Sequence, residues 1–154
     1  MQDMGDIEPK EGVRQWNKNL KTYFHHIRLF DGVKETLEKL RDHSLTLGII
    51  TSKTREEFEN DFLPFGVDDY FSTVVCAEDS KTHKPEPGPM LAYLEKSGAT
   101  AERVLYVGDT LYDMRCAKGA GVDHALALWG AHNPEKIGAT HRLEKPECVL
   151  DILL

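Results

Sequence analysis

The sequence predicts an α/β fold built on a doubly wound parallel sheet. Short apolar runs, typical of strands buried on both faces of a parallel sheet, alternate with longer segments of helical periodicity. After two initial helices the order is β, α, β, α, β, α, β, as expected for consecutive strand–helix–strand units. The 154 residues have the length of one domain and contain no internal repeat.

The N-terminal third of the chain predicts two helices before the first strand. Residues 1–10 are a polar lead. Residues 11–27 carry apolar side chains at every third or fourth position, which predicts an amphipathic helix. Asp31 is a candidate N-cap for the second helix. Residues 45–50 form an apolar run that predicts a buried strand.

Strands and helices alternate through the rest of the chain. Thr54 begins a capping-box pattern, which predicts the start of the next helix. The other predicted elements are strands at 70–76, 104–107 and 123–129, a helix after each of the first two, an exposed loop at 132–138, an edge strand at 141–143 and a last helix opened by Pro146. Gly121 is expected to end the helix that follows strand 104–107.

Composition and charge narrow the function classes. The net charge is -7 and the Lys and Arg residues are scattered, which argues against a nucleic-acid-binding or anionic-membrane surface. The three cysteines lack the paired spacing of zinc or redox motifs, so we expect them to be reduced. The N-terminus has no apolar core of a signal peptide, and no segment has the length and apolarity of a membrane span. We therefore expect a cytoplasmic protein.

Two carboxylates stand at the end of one predicted strand. Asp109 follows the run 104–107 and Gly108, and Asp113 lies about one helical turn further on. Ligands of open α/β sheets bind at the carboxyl ends of the strands. Paired carboxylates there are hard oxygen ligands suited to Mg²⁺ held together with a phosphate. The alternative is structural, because Thr110 and Asp113 also fit a capping box that needs no metal.

Two hydroxyls and a lysine are candidate phosphate-binding groups. Thr51 and Ser52 follow the strand 45–50, and Thr51 is spare because the next helix has its own cap. A hydroxyl beside helix N-terminal amides can hold a phosphate oxygen, whereas the alternative is a Thr favoured by its β-propensity. Lys84 precedes Pro85 in a segment stiffened by further prolines. It could present a fixed positive charge to a phosphoryl group, and the alternative is a solvated loop lysine.

The order of these residues resembles the haloacid dehalogenase-like (HAD-like) hydrolase superfamily, close to its phosphoglycolate phosphatase and β-phosphoglucomutase-like branch. The resemblance is carried by Thr51 after a strand, Lys84 before a proline, and Asp109 with Asp113 in GDTLYD. It covers roughly residues 29–154 and implies a Rossmann-like core there, while residues 1–28 would be a polar lead and the remnant of a helical cap.

The resemblance also implies a reaction. Members of this superfamily hydrolyse phosphate monoesters with Mg²⁺ through an aspartyl-phosphate. Thr51 would hold the transferring phosphoryl group, and Lys84 would neutralise phosphate charge and orient the nucleophile. Asp109 and Asp113 would fix the metal, directly or through water. The implied partner is a small phosphorylated metabolite.

One motif of the family is missing from the 154 residues. The superfamily's nucleophile and general acid/base come from an aspartate pair spaced one residue apart and followed by Gly-Thr, well before Thr51. The nearest match is Asp31 in FDGV, but the position two before it is Leu29. We interpret FDGV as a decoy, so that the chain resembles a phosphatase without its first strand, its nucleophile and most of its cap.

This departure leaves alternatives open. The chain could belong to a phosphatase, or it could be a non-catalytic module that binds phosphate or Mg²⁺ for regulation. A receiver-like signalling domain is disfavoured, because receivers place their acidic residues before the Thr and Lys. In the family the first strand would lie between strands 45–50 and 104–107. We therefore expect these two strands either to pair directly, or to accept a strand from the N-terminal lead, a second copy or a separate fragment.

Overall fold

Parallel strands and helices alternate through residues 27–154, the part of the chain that the computed structural model describes. The α-helices and strands are α1 (Val33–Asp42), β1 (Gly48–Ile50), α2 (Arg55–Phe62), β2 (Thr73–Val75), α3 (Gly88–Ser97), β3 (Leu105–Gly108), α4 (Leu111–Gly119), β4 (Asp123–Ala127), β5 (His141–Leu143) and α5 (Val149–Leu153). Short 3-10 helices occupy several of the connections. The predicted α/β class is confirmed.

The strands form two parallel sheets. β1 pairs with β2, with Ile49 opposite Val74. β4 pairs on one side with β3 and on the other with β5. Because all of these pairs are parallel, the carboxyl ends of the strands in each sheet lie at one edge. The edge position predicted for strand 141–143 is also confirmed among the described residues, since β5 pairs with β4 alone.

Direct pairing between strands 45–50 and 104–107, one of the two arrangements expected from the sequence, is wrong. β1 and β3 belong to different sheets, and no strand described within residues 27–154 pairs with both. A gap without a strand described within residues 27–154 separates β1 from β3, and one apolar cluster packs against residues of both strands. Met90 of α3 and Cys116 of α4 are fully buried in it, with Ile50 on the β1 side and Tyr106 on the β3 side. Closing the gap would require this packed layer to rearrange.

The strands beside the gap are less buried than the strands with which they pair. Val75 of β2 and Leu126 of β4 are fully buried, whereas Val107 of β3 is 38% exposed. The three residues of β1 are only partly buried. The two strands that flank the gap are therefore less covered than their neighbours, which is the reverse of the usual gradient from the centre of a parallel sheet to its edge.

Several predicted boundaries need correction. The strands predicted at 45–50, 70–76 and 123–129 are shorter, as Gly48–Ile50, Thr73–Val75 and Asp123–Ala127. Apolar runs report burial rather than ladder hydrogen bonds, and Leu45 and Leu47 pack into a core cluster before β1 begins. Asp68–Tyr70 form a 3-10 helix, and so do Pro134–Lys136 within the predicted loop.

The predicted helix ends were partly correct. Asp31 is not the N-cap of α1, because Gly32 takes that position with φ 84°, in the left-handed region that favours glycine. Thr54 does cap α2 in a capping box. Gly121 follows α4 with φ 72°, and Pro146 opens a 3-10 turn that leads into α5.

Three further sequence predictions concern the N-terminal helix, the cysteines and membrane-spanning segments. The helix predicted at 11–27 lies outside the described residues except for Ile27, which is not helical, and the division of the chain at residue 28 stays a prediction. All three cysteines are free, as expected. None of the helices described within residues 27–154 has both the length and the apolarity to cross a bilayer.

Candidate active site

An open cavity of about 450 Å³ lies where β1 and β3 end. It brings together every residue that the sequence singled out for chemistry: Thr51, Ser52, Lys84, Asp109 and Asp113. The remaining lining residues are Ile50, Lys53, Glu57, Thr110 and Tyr112. Residues from three separate segments of the chain therefore converge on one site, at the carboxyl ends of strands from both sheets.

Thr51 marks the point where the chain leaves the β1 ladder. Its amide still donates to the Val75 carbonyl at 2.9 Å, and then the chain turns so that the Lys53 amide donates to Thr51 Oγ1 at 3.2 Å. Helix α2 is capped by Thr54 and Glu57 instead. The Thr51 hydroxyl accepts this local bond and does not cap α2, and Ser52 beside it is exposed.

Lys84 is held by an ion pair. Its ammonium nitrogen donates to Asp113 Oδ1 at 2.7 Å, and the two side chains are only 15% and 8% exposed. Lys81 and His83, from the same connection, are exposed and do not line the cavity. Lys84 is therefore not the solvated loop lysine of the alternative interpretation, since its charge is directed into the site.

Asp113 is the most constrained side chain of the site. Its Oδ1 accepts hydrogen bonds from Lys84 and from the Tyr106 hydroxyl at 3.1 Å. Its Oδ2 accepts from the amides of Asp109 and Thr110 at 3.2 and 3.1 Å and from the Thr110 hydroxyl at 2.8 Å. Burial would raise the pKa of Asp113, but the hydrogen bond and charge of Lys84 and the Thr110 donors outweigh it and hold that pKa below its usual value.

The capping box expected as the alternative is therefore present. The Asp113 amide donates to Thr110 Oγ1 at 3.1 Å, and the Asp113 carboxylate accepts from the Thr110 amide. Asp113 serves the helix and the cavity together, because its second oxygen anchors Lys84. Both oxygens already accept hydrogen bonds, so Asp113 is poorly suited to be a direct metal ligand and better suited to act through water.

Asp109 has a different environment. Burial, followed by the nearby Asp113 charge, raises the pKa of its carboxyl above the usual value, while Lys84 acts in the opposite direction. Gly130 makes room for this side chain, because a Cβ at position 130 would lie 2.6 Å from Asp109 Oδ2. A half-buried carboxylate at a raised pKa gains from a nearby cation, so Asp109 fits Mg²⁺ as a ligand. Among residues 27–154, however, no three His, Cys, Asp or Glu side chains group closely enough to hold a metal.

Sequence reasoning missed three residues of this region. Tyr106 was counted only as part of an apolar strand, although a hydroxyl within such a run is itself a signal. Glu57 was assigned to the cap of α2 alone, but it also lines the cavity. Nothing in the sequence pattern indicated that Tyr112, which is 58% exposed, would stand at the cavity.

The chain is similar to known proteins in sequence and in fold. Residues 2–127 match the family model of haloacid dehalogenase-like hydrolases. The chain is 34% identical to a phosphoglycolate phosphatase from Yersinia pestis, over 84% of this chain and 54% of that protein. It is also 34% identical to the pyrophosphatase PpaX of Halalkalibacterium halodurans, over 94% of this chain and 69% of that protein.

The fold is also similar to that of a solved structure. The crystal structure of an HAD phosphatase from Thermococcus onnurineus matches with a TM-score of 0.78 at 27% identity, over 90% of this chain and 64% of that chain. The chain spans about half to two thirds of the length of the curated relatives that it matches.

Proposed function

Since the chain belongs to the haloacid dehalogenase-like hydrolases, we propose that its cavity serves the Mg²⁺-dependent hydrolysis of small phosphate monoesters, as in a phosphoglycolate phosphatase. One observation carries this proposal. A hydroxyl, an ammonium group and two carboxylates from separate segments, those of Thr51, Lys84, Asp109 and Asp113, line one cavity at the carboxyl ends of the strands. Such a set can bind a phosphoryl group and stabilise the charge that develops on it.

Each residue of the site has a role that follows from its chemistry. The Thr51 hydroxyl donates to a phosphate oxygen, with the exposed Ser52 beside it. Lys84 supplies positive charge that its ion pair keeps in place. Asp109 holds Mg²⁺, and Asp113 contributes through water and by anchoring Lys84. When bound, Mg²⁺ neutralises phosphate charge and orients the phosphoryl group.

We further propose that the attacking carboxylate is not one of the 154 residues. They contain no aspartate pair spaced one residue apart. Asp31, the nearest match, does not line the cavity, which supports its interpretation as a decoy. Thr51 and Lys84 can stabilise charge but cannot form the aspartyl-phosphate, so the 154-residue chain by itself is expected to be inactive.

A second candidate function is a regulatory module that binds phosphate and Mg²⁺ without catalysis. The same absence of an aspartate pair favours it, together with the many hydrogen bonds that already fix Asp113. Both functions require phosphate binding in this cavity. They differ in whether the pocket catalyses hydrolysis when a nucleophile is supplied.

We also propose that a strand from outside the described residues pairs between β1 and β3. The partly buried β1 and the exposed Val107 of β3 support this proposal, because unpaired apolar edges are templates for another strand. Its source would be residues 1–26, a second copy or a separate polypeptide. The small phosphorylated substrate and the cytoplasmic location remain predictions.

A fusion experiment separates the two functions. The first strand of a full-length phosphoglycolate phosphatase, with its Asp-x-Asp-Gly-Thr motif, would be joined to the N-terminus, and hydrolysis of p-nitrophenyl phosphate measured with Mg²⁺. A phosphatase pocket predicts turnover that is lost when both motif aspartates become asparagine. A folded fusion that binds phosphate without turnover would favour the regulatory module. Turnover by the unfused chain that is lost in Asp31→Asn would contradict the decoy assignment.

A further inference from the structure

Tyr106 completes a closed triangle of hydrogen bonds behind the cavity. Its hydroxyl donates to Asp113 Oδ1 at 3.1 Å and lies 3.4 Å from Lys84 Nζ, while Lys84 Nζ donates to the same Asp113 oxygen at 2.7 Å. Lys84 and Asp113 line the cavity, but Tyr106 does not. The tyrosine therefore contacts the two charged groups from the side away from the ligand.

The surroundings of Tyr106 favour a fixed hydroxyl. Its ring packs against the buried cluster that includes Met90 and Cys116, so the side chain has little freedom to turn. Burial, followed by the Asp113 charge, raises the pKa of the Tyr106 hydroxyl far above its usual value. The hydroxyl is the donor in its contact with Asp113, because an ionised carboxylate can only accept.

The triangle limits what Lys84 can do with its protons. An ammonium group has three donors and no acceptor. One proton goes to Asp113, and a second faces the Tyr106 oxygen at a longer distance. Among residues 27–154 no other group accepts the third proton, which leaves it for a ligand in the cavity.

We propose that Tyr106 is a positioning residue for phosphate, whose hydroxyl fixes the Lys84–Asp113 pair so that one ammonium proton faces the cavity. The proposal rests on the proposed function, because it assumes that phosphate binds beside Lys84. A phenylalanine would fill the same space in the core, and Asp113 would still be held by Thr110 and the Asp109 amide. The Lys84 ammonium group would then be free to turn about its bond to Asp113. Tyr106 does not touch the ligand, so its effect must appear through Lys84.

The test compares two tyrosine variants. Tyr106→Phe removes the hydroxyl of the triangle, whereas Tyr70→Phe removes a hydroxyl that donates to the Glu38 carboxylate at 3.2 Å, outside the residues that line the cavity. Affinity for inorganic phosphate would be measured by calorimetry on the 154-residue chain. We expect Tyr106→Phe to weaken binding about fivefold to tenfold, which is the net effect of losing one ordinary hydrogen bond. Tyr70→Phe should leave the affinity unchanged.

A spectroscopic signal isolates the positioning role from general stability. With ¹⁵N-labelled lysine, the hydrogen-bonded Lys84 ammonium group should give a slowly exchanging NMR signal, identified by its loss in Lys84→Met. We expect the signal to persist in Tyr70→Phe and to broaden in Tyr106→Phe. Equal phosphate affinity and an unchanged signal in a folded Tyr106→Phe protein would overturn the proposal.

Two further outcomes keep the result interpretable. If Tyr106→Phe does not fold, the unmodified protein still decides, because the triangle requires a slowly exchanging Tyr106 hydroxyl proton with a nuclear Overhauser effect to the Lys84 ammonium protons. Absence of that proton would overturn the proposal. If the unmodified chain does not bind phosphate, the proposed function fails, while the Lys84 signal still shows whether Tyr106 holds the pair.

Discussion

At the scale of single residues, the site is arranged around Asp113 rather than around the two carboxylates equally. Asp113 is nearly buried, accepts hydrogen bonds at both oxygens and anchors Lys84. Asp109 is more accessible and its pKa is raised. The spacing of the two aspartates predicted that they would face one crevice, but spacing could not show that their environments push their pKa values in opposite directions.

This difference predicts that substitution of Asp113 lowers the stability of the protein and that substitution of Asp109 does not. Asp113→Asn leaves the ammonium of Lys84 without its counter-ion in a nearly buried position, so we expect the free energy of unfolding to fall by about 3 kcal/mol. Asp109→Asn is expected to cause no loss at neutral pH, because the folded state disfavours the Asp109 charge. Urea unfolding at pH 7 measures both. A larger loss for Asp109→Asn than for Asp113→Asn would contradict the assignment.

The pH dependence of stability in the same two variants tests the direction of each pKa shift. Asp109 has a raised pKa in the folded state, so its contribution to stability is present below its unfolded pKa, about 3.9, and is lost as the pH rises through the folded value. Asp109→Asn should remove this loss. Asp113 has a lowered pKa, so its contribution is present above the unfolded pKa and is lost only as the pH falls through the folded value.

Metal binding is also a residue-scale question. With Asp113 occupied by hydrogen bonds and no third carboxylate grouped with the pair among residues 27–154, we expect the 154-residue chain to bind Mg²⁺ weakly, because this ion gives up its waters reluctantly. Calorimetric titration is the measurement. A submicromolar affinity, or an affinity that does not change in Asp109→Ala, would show that the metal assignment is wrong.

At the scale of elements, the ends of β1 and β3 create the site, and one edge of each has no partner strand among residues 27–154. The sequence predicted where β1 and β3 occur, because apolar runs report burial. It could not predict their exact lengths or that they would not pair with each other, since pairing depends on what α3 and α4 pack against. The left-handed Gly32 that starts α1 was also missed, because the neighbouring Asp31 is itself a good capping residue.

Hydrogen exchange tests whether the gap is filled. The Thr51 amide bonds to β2, and amides alternate sides along a strand, so the Ile49 amide faces β2 and the Ile50 amide faces the gap. We expect the Ile49 amide to be protected by its bond to β2, and the proposed strand in the gap predicts that the Ile50 amide is protected as well. Protection of Ile50 that depends on protein concentration would indicate a second copy as its source. Free exchange of Ile50 in a chain that is monomeric by light scattering would refute the proposed strand.

At the scale of the whole molecule, fold and site were predictable to different degrees. The parallel α/β class and the convergence of Thr51, Lys84 and Asp109 followed from the order of motifs along the chain. The hydrogen-bond triangle did not, because Tyr106 is separated from Lys84 by an entire helix and only the tertiary structure brings them together. The absence of a strand between β1 and β3 was predicted from the missing motif, but the separation of the two sheets among residues 27–154 was not, because direct pairing was one of the two expected arrangements.

The central claim is that the cavity between the two sheets is a phosphate site in which Lys84 supplies the charge. Its most direct test is calorimetric titration of the 154-residue chain with inorganic phosphate, comparing Lys84→Met with Lys81→Met. Lys81 is an exposed lysine in the same connection and does not line the cavity. We predict that Lys84→Met weakens phosphate binding at least about tenfold, as expected for loss of one charge-assisted hydrogen bond, and that Lys81→Met leaves it unchanged. Equal affinities in the unmodified chain and a folded Lys84→Met variant would contradict the account.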